Sequence, residues 1–360
     1  MALRTSKPIL RLLSVLAMCA GVAIMASGCS SPAADAAATT SARQLRLGYF
    51  DNVTHAPALI GVQEGIFSKS LGSVALKTER FNAGPATIEA LSAGAIDAAF
   101  LGPSPAINSF TASGGASLRV VAGATNGGAA LVVRKGIDNV SQLKGTTLAT
   151  PQLGNTQDVA LRTYLAKNGL KTSVSGGGDV TITPTDNAQT LQLFKQGKVD
   201  GAWLPEPWAS RLVLDAGAHV LVDEHTQWKG GAFPTTVLVV RTDFLQQHPQ
   251  TVAALITGER DAISWLNHHD SAESVKAINA RLTADGGSAL PDAVVARALK
   301  NVSFSVDPLA STFPLQLKHA VDAGLAKNAK LNGLFDLRTV NTALKKSGAA
   351  PVSAAGLGRQ

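Results

Sequence analysis

Apolar and polar positions along the chain form one unit that occurs twice. Residues 96–101 and 199–204 are near-continuous apolar runs, the pattern of strands covered on both faces. A helical stretch precedes each run and stops at a glycine, Gly94 and Gly197. A glycine there suits the left-handed backbone just past a helix end, where a side chain would clash. Each run leads into a proline-marked turn that opens another helix, Gly102-Pro103-Ser104-Pro105 in the first copy and Pro205-Glu206-Pro207-Trp208 in the second. The two turns sit at the carboxyl ends of their strands, where ligands bind in open α/β sheets. A duplicated packing unit with no shared ligand is the plainer alternative.

The rest of the chain alternates in the same way. Residues 45–50 read as a strand, and Asp51-Asn52-Val53-Thr54-His55 as a loop capping a helix over 56–64 that Gly65 ends. A strand over 73–81 follows, and Asn82-Ala83-Gly84-Pro85 turns into the next helix with Pro85 in its first turn. After a strand over 118–124, residues 129–134 read as a crossing between lobes. Then come a short helix at 140–145, a strand at 146–150, a loop through Gly154, Asn155, Thr156 and Gln157, and a helix ended by Gly169. Strands at 180–183 and 218–222 flank the second copy of the unit. A strand over 235–240 returns the chain, and helices at 249–268, 272–282, 292–301 and 315–326 are expected to pack on the first lobe. Without hairpin signals the sheets are expected to be mostly parallel. The pattern predicts lobe 1 from 44–133 and 235–360, lobe 2 from 134–234, and a two-stranded hinge.

Composition narrows the classes. The chain of 360 residues is long enough for two such lobes, and 45% apolar against 16% charged residues gives ample core. The net charge of +7 falls to +4 once Arg4, Lys7 and Arg11 of a removable leader are set aside (7 − 3). That mild, dispersed charge excludes a nucleic-acid surface. Cys19 and Cys29 are the two cysteines of the sequence, so the folded body carries no disulfide, thiol nucleophile or cysteine metal ligand. No HExxH, Gly-x-Ser-x-Gly or P-loop pattern occurs, the adjacent His268 and His269 point to different helix faces, and neither a metal nor a cofactor is expected.

At the N-terminus a basic stretch precedes an apolar run over 12–26, the length of a signal-peptide core rather than a spanning helix. It ends Ala26-Ser27-Gly28-Cys29-Ser30, which resembles a bacterial lipoprotein cleavage box. That resemblance implies lipid attachment at Cys29; an ordinary secretory signal with a chance cysteine is the alternative. Residues 1–28 are thus expected as the leader. Residues 29–43, rich in Ala, Ser, Thr and Pro, are expected as a flexible tether.

Five loops fall where a cleft between the lobes would lie, and each precedes a helix. Their candidate residues are Asn52, Thr54 and His55; Gly84 and Pro85; Gly102 and Ser104; Gly154, Asn155, Thr156 and Gln157; and Glu206 and Trp208. Helix N-termini offer unpaired N–H groups and a partial positive charge, so several aimed at one point hold an anion without arginine. Each loop could equally serve only to cap its own helix. Tyr49, Phe50, Trp203 and Trp208 could grip an apolar ligand body, with Trp203 better suited to core. Glu206 could accept from a ligand or favour the start of its helix, and His55 could donate to an anion or be structural.

The leader, the two-lobe pattern and the motifs resemble solute-binding proteins of ABC importers, in particular the nitrate/sulfonate/taurine binding family. The resemblance rests on Glu89-Ala90-Leu91-Ser92-Ala93-Gly94-Ala95-Ile96-Asp97, on Val199-Asp200-Gly201-Ala202-Trp203-Leu204-Pro205-Glu206-Pro207, and on the stretch from Thr150 to Arg162. It covers roughly residues 45–270. It implies an α/β, periplasmic-binding-protein-like fold and an extracytoplasmic, non-enzymatic protein. Lipid-anchored to the membrane, it would capture a small organic anion such as an aliphatic sulfonate between its lobes by hinge closure and deliver it to an ABC permease and ATPase. In such proteins backbone N–H groups and small polar side chains hold the anionic head, which points to Gly84, Pro85, Ser104, Asn155, Thr156 and Trp208. The absence of a basic residue in these loops favours a sulfonate or neutral solute over nitrate. Nitrate, a thiamine-precursor pyrimidine, an enzyme of the same fold and a lipoprotein that binds a protein partner remain as alternatives.

Overall fold

The computed structural model describes residues 41–360; the leader, Cys29 and nearly all of the tether lie outside the described residues. The first lobe begins β1 (Gln44–Tyr49), α1 (Ala56–Gln63), α2 (Ile66–Leu71), β2 (Ala75–Arg80), α3 (Gly84–Ser92), β3 (Ala98–Leu101), α4 (Pro103–Ala112) and β4 (Leu118–Gly127). The second lobe follows as β5 (Ala129–Val133), β6 (Thr147–Thr150), α5 (Thr156–Lys167), β7 (Thr181–Pro184), α6 (Asn187–Lys195), β8 (Gly201–Pro205), α7 (Trp208–Ala216) and β9 (His219–Asp223). The chain then returns through β10 (Pro234–Arg241), α8 (Thr242–Gln247), α9 (Pro249–His268), α10 (Ser271–Ala284), α11 (Asp292–Leu299), β11 (Val302–Phe304) and α12 (Phe313–Asp322). It ends β12 (Phe335–Asp336), α13 (Arg338–Lys346) and β13 (Gly358–Arg359).

The strands form two sheets, ordered β13-β12-β4-β10-β3-β1-β2 with β11 beside β4, and β7-β6-β8-β5-β9. The repeated unit is α3–β3–α4 in one sheet and α6–β8–α7 in the other. Gly94 and Gly197 both have φ +69°, as the sequence pattern requires. The sheets are mixed rather than mostly parallel. β10 runs antiparallel to β3 and β4, and β5 runs antiparallel to β8 and β9. These are the two strands by which the chain enters each lobe. It crosses where the parallel strands have their carboxyl ends, so an entering strand must run against them. The first crossing therefore falls at Gly127-Gly128 rather than after residue 133, because Ala129–Val133 is already a strand of the second sheet.

Both faces of the second sheet are covered at its centre, which is why β5 and β8 read as unbroken apolar runs. Along β5, Ala129, Leu131 and Val133 face one core while Ala130 and Val132 face the other. In β8, Trp203 enters the first of these cores and Ala202 and Leu204 the second. The first lobe has one large core around β1, β3, β4 and β10, closed by α1, α9 and α10. The later helices do not pack on the first lobe alone, for α11 lies against α7 and α12 against α5 of the second lobe. Among the described residues no helix is long and apolar enough to cross a membrane.

Candidate functional site

A cavity lies where the carboxyl ends of the two sheets meet. Phe50, Asn52, Thr54, His55, Gly84, Gly102, Pro105 and Thr235 line it from the first lobe, and Asn155, Thr156, Gln157 and Pro205 from the second. Its volume is about 20 Å³, room for roughly one water-sized group in this closed arrangement.

Local sequence explains why these residues converge. Asn155 caps α5, its Oδ1 accepting from the N–H of Asp158 at 2.8 Å. Asp158 is fully buried and accepts from Thr150 Oγ1 at 3.0 Å, Gly154 N at 2.9 Å and Arg162 Nε at 3.1 Å. Those bonds pin the loop, so Thr156 and Gln157, in the first turn of α5, face the other lobe. Helices α3 and α4 start at Gly84 and just past Gly102, presenting first-turn backbone to the same space. Gly102 permits close approach, since a Cβ there would stand 2.3 Å from Thr156 Oγ1.

His55 is the titratable side chain among the lining residues. The N–H of Phe50 donates to its Nδ1 at 3.3 Å, which assigns the proton of the neutral ring to Nε2. Its ring stacks on Phe50 at 4.1 Å between centroids. Burial pulls its pKa down to about 3, so it is uncharged at neutral pH. Among the described residues lining the cavity there is no lysine or arginine. The site therefore combines helix N-termini with a neutral N–H donor, an arrangement that accepts an anion without forming an ion pair.

Eight of the thirteen candidate residues line the cavity: Asn52, Thr54, His55, Gly84, Gly102, Asn155, Thr156 and Gln157. The other five stand around it. Pro85 sits in the first turn of α3, and Gly154 N–H serves Asp158. Ser104 donates its backbone N–H to Thr156 Oγ1 across the lobes at 3.4 Å. Trp208 donates its indole N–H to Asn52 Oδ1 at 2.8 Å, also across the lobes. Glu206 is buried, and both its carboxylate oxygens are engaged by protein groups: Oε1 by Asn301 Nδ2 at 2.6 Å and Arg297 Nη1 at 3.5 Å, Oε2 by Ser210 N at 3.0 Å. Burial raises its pKa, with these donors acting against that. Glu206 thus holds its helix start and ties the lobes together. Trp203 is core, its indole donating to buried Glu224 at 2.7 Å. Phe50 was legible as an aromatic beside the first loop. Thr235 was not, although the first residues of a returning strand must pass the cleft.

A model of the NMT1-like family matches residues 38–280. The taurine-binding periplasmic protein of Escherichia coli (strain K12) is 28% identical over 206 residues, 57% of this chain and 62% of that protein. The putative aliphatic sulfonates-binding protein of Bacillus subtilis (strain 168) is 25% identical over 234 residues, 63% of this chain and 66% of that protein. These matches span less than two-thirds of the relatives' own length. Among solved structures, the alkanesulfonate-binding protein SsuA from Xanthomonas axonopodis pv. citri, bound to MOPS, superposes with a TM-score of 0.67 at 24% identity, covering 80% of this chain and 96% of that one. With two lobes about a closed cavity in the periplasmic-binding-protein arrangement, the chain belongs to the NMT1-like family.

Proposed function

We propose that the protein is the extracytoplasmic solute-binding component of an ABC importer, capturing a small organic anion of the aliphatic sulfonate class between its lobes. The observation that carries this is the cavity itself, walled by both lobes, fed by helix starts and holding a neutral histidine N–H instead of a cation. A sulfonate needs donors but no proton acceptor, and this wall supplies donors. The taurine- and sulfonate-binding relatives support the same class. Closure over the ligand creates the form that docks on a permease and its ATPase. Cys29 is the attachment point for a lipid anchor, and each buried methylene of such an anchor contributes about 0.8 kcal/mol. We read the chain as a binder and not an enzyme, because His55 is held neutral and stacked on Phe50 rather than poised beside a nucleophile.

Calorimetric titration with taurine, short alkanesulfonates, nitrate and a thiamine-precursor pyrimidine tests the assignment. Heat from the sulfonates, lost in a Thr156→Ala variant, supports it; heat from none of the panel removes the solute reading. Nitrate is the second reading, and the small volume of the closed cavity favours it.

A further inference from the structure

A second pocket lies at the other end of the first sheet. Its marker, Arg119, stands eight residues before Gly127 at the crossing; at about 3.3 Å per residue, that is roughly 25 Å along β4. The pocket measures about 500 Å³, within the range of small-molecule sites. More than half of its lining comes from residues 333–359, beyond the stretch that the family model matches.

Three guanidiniums face this space, Arg119, Arg338 and Arg359, against one carboxylate, Asp336. Asp336 is already taken, for Arg338 grips both its oxygens at 2.8 and 2.5 Å. Arg119 is fixed by donating Nη1 to the carbonyls of Gly115 and Leu118 and to Thr242 Oγ1, and its guanidinium lies 5.5 Å from the Phe110 ring centre. Arg359 is placed by the short β12–β13 pairing, opposite Asp336 in register. Among the described residues no carboxylate forms an ion pair with Arg119 or Arg359. Burial makes Arg119 easier to deprotonate than usual; the charge of Asp336, beyond ion-pair distance, acts against this, and the smaller effect of Arg359 acts with burial. Arg119 is half-buried and Arg359 exposed, so the pocket presents two guanidiniums that no carboxylate of the described residues pairs and that a bound anion can reach.

We propose that this pocket is a second ligand site, separate from the interlobe cavity, that binds a phosphate monoester group. Guanidinium forks match the tetrahedral oxygens of phosphate. The hydroxyls of Thr242 and Thr339, which also line the pocket, can donate or accept and so suit a phosphate that keeps a proton. The first turn of α13 adds backbone N–H groups on the same side. Phe335 and Leu245 leave an apolar wall for the organic part.

The phosphate could belong to a soluble metabolite or to a lipid headgroup. The test uses the full chain with three probes: inorganic phosphate, glycerol 3-phosphate, and phosphatidylcholine vesicles with and without phosphatidate. Arg359→Ala removes an exposed guanidinium that supports no core contact, and Thr339→Ala provides an independent second variant. The expected result is saturable binding of glycerol 3-phosphate or of phosphatidate vesicles, weakened at least tenfold, or about 1.4 kcal/mol, in Arg359→Ala with the unliganded melting temperature unchanged. Binding of the soluble ester assigns a metabolite, and binding only of phosphatidate vesicles assigns a lipid. Failure of all three probes to bind, or equal affinity in wild type and both variants, overturns the proposal.

Discussion

Asn301 donates its side-chain amide to Glu206 Oε1 at 2.6 Å, joining the segment after α11 to the turn that carries Pro205 into the cavity wall. The backbone of Glu206 continues the link, its N–H donating to Gly128 O at 2.9 Å and its carbonyl accepting from Thr54 N at 3.3 Å. One residue thus binds the crossing, the first loop and the C-terminal segment to the second lobe. With Trp208–Asn52 and Thr156–Ser104 it forms a set of closed-state contacts made by the protein itself. Only interactions that differ between open and closed forms can shift their balance, and these do.

Asn301→Ala leaves the buried Oε1 with only the longer contact to Arg297. Removing one partner of a buried charged acceptor costs about 1–3 kcal/mol, and here the cost falls on the closed form. Solute affinity is expected to drop roughly tenfold or more. Small-angle scattering should show a more open molecule, with each lobe still folded. Calorimetry showing unchanged affinity would mean that the contact carries no part of closure.

Gly102→Ala tests how closely the lobes must approach. The added Cβ would meet Thr156 Oγ1 at 2.3 Å in the closed form only, since the two residues belong to different lobes. The substitution leaves the first-lobe fold intact, because the φ of Gly102 is −72°, ordinary for any residue. We expect weakened binding with little change in melting temperature. A large loss of unliganded stability would instead place the cost within the first lobe.

Much of this was legible because the repeat is a packing unit with its own chemistry. Asp97 accepts from Arg46 N at 3.0 Å and pairs with the Arg46 guanidinium at 2.5 Å; that same side chain reaches the carbonyl of Gly94. Asp200 accepts from Thr147 N at 2.7 Å and pairs with Arg134 at 3.0 Å, and Arg134 reaches Gly197 O. Each lobe thus needs the same Gly and Asp at the same spacing, which is why the repeat stands out in the sequence. Loops that cap helices at strand ends were likewise readable, and eight of the thirteen candidates converge. The partners of Glu206 were not, because Arg297 and Asn301 lie 91 and 95 residues away, the first on a helix whose own periodicity reports only its core face and the second in the turn after it. Strand β5 was taken for a linker because a short apolar run gives no sign of which sheet it joins. The two-residue strands β12 and β13 carry no pattern at all.

His55 predicts an acid-side loss of stability. Its folded pKa is depressed from 6.5 to about 3 by burial, so the fold accommodates the neutral ring and resists the charged one. The contribution is complete above pH 6.5 and is lost as pH falls from there toward 3, with an upper bound of roughly 5 kcal/mol. Urea unfolding from pH 7 to 5, a range in which most carboxylates stay ionised, should show wild type losing stability faster than His55→Gln. Parallel curves would place His55 in contact with water and remove it from the buried wall.

Glu224 predicts the opposite slope, and the reason lies in its two indole partners. Trp203 and Trp228 donate to its carboxyl at 2.7 and 3.3 Å, yet neither carries charge to balance an anion. Burial therefore dominates and lifts its pKa from 4.5 to about 7. In that window the unfolded chain has released the proton and the folded chain retains it, so stability falls as pH rises. The contribution is complete below pH 4.5 and is lost on passing pH 7, a span of roughly 3 kcal/mol. Glu224→Gln cannot ionise, and its carbonyl can still accept the shorter bond from Trp203. Unfolding curves between pH 5 and 8 should slope downward for wild type and run flatter for the variant. Tryptophan fluorescence should change across the same window in wild type alone, because both indoles touch the titrating oxygens. A slope that survives the substitution would assign the proton to a different group.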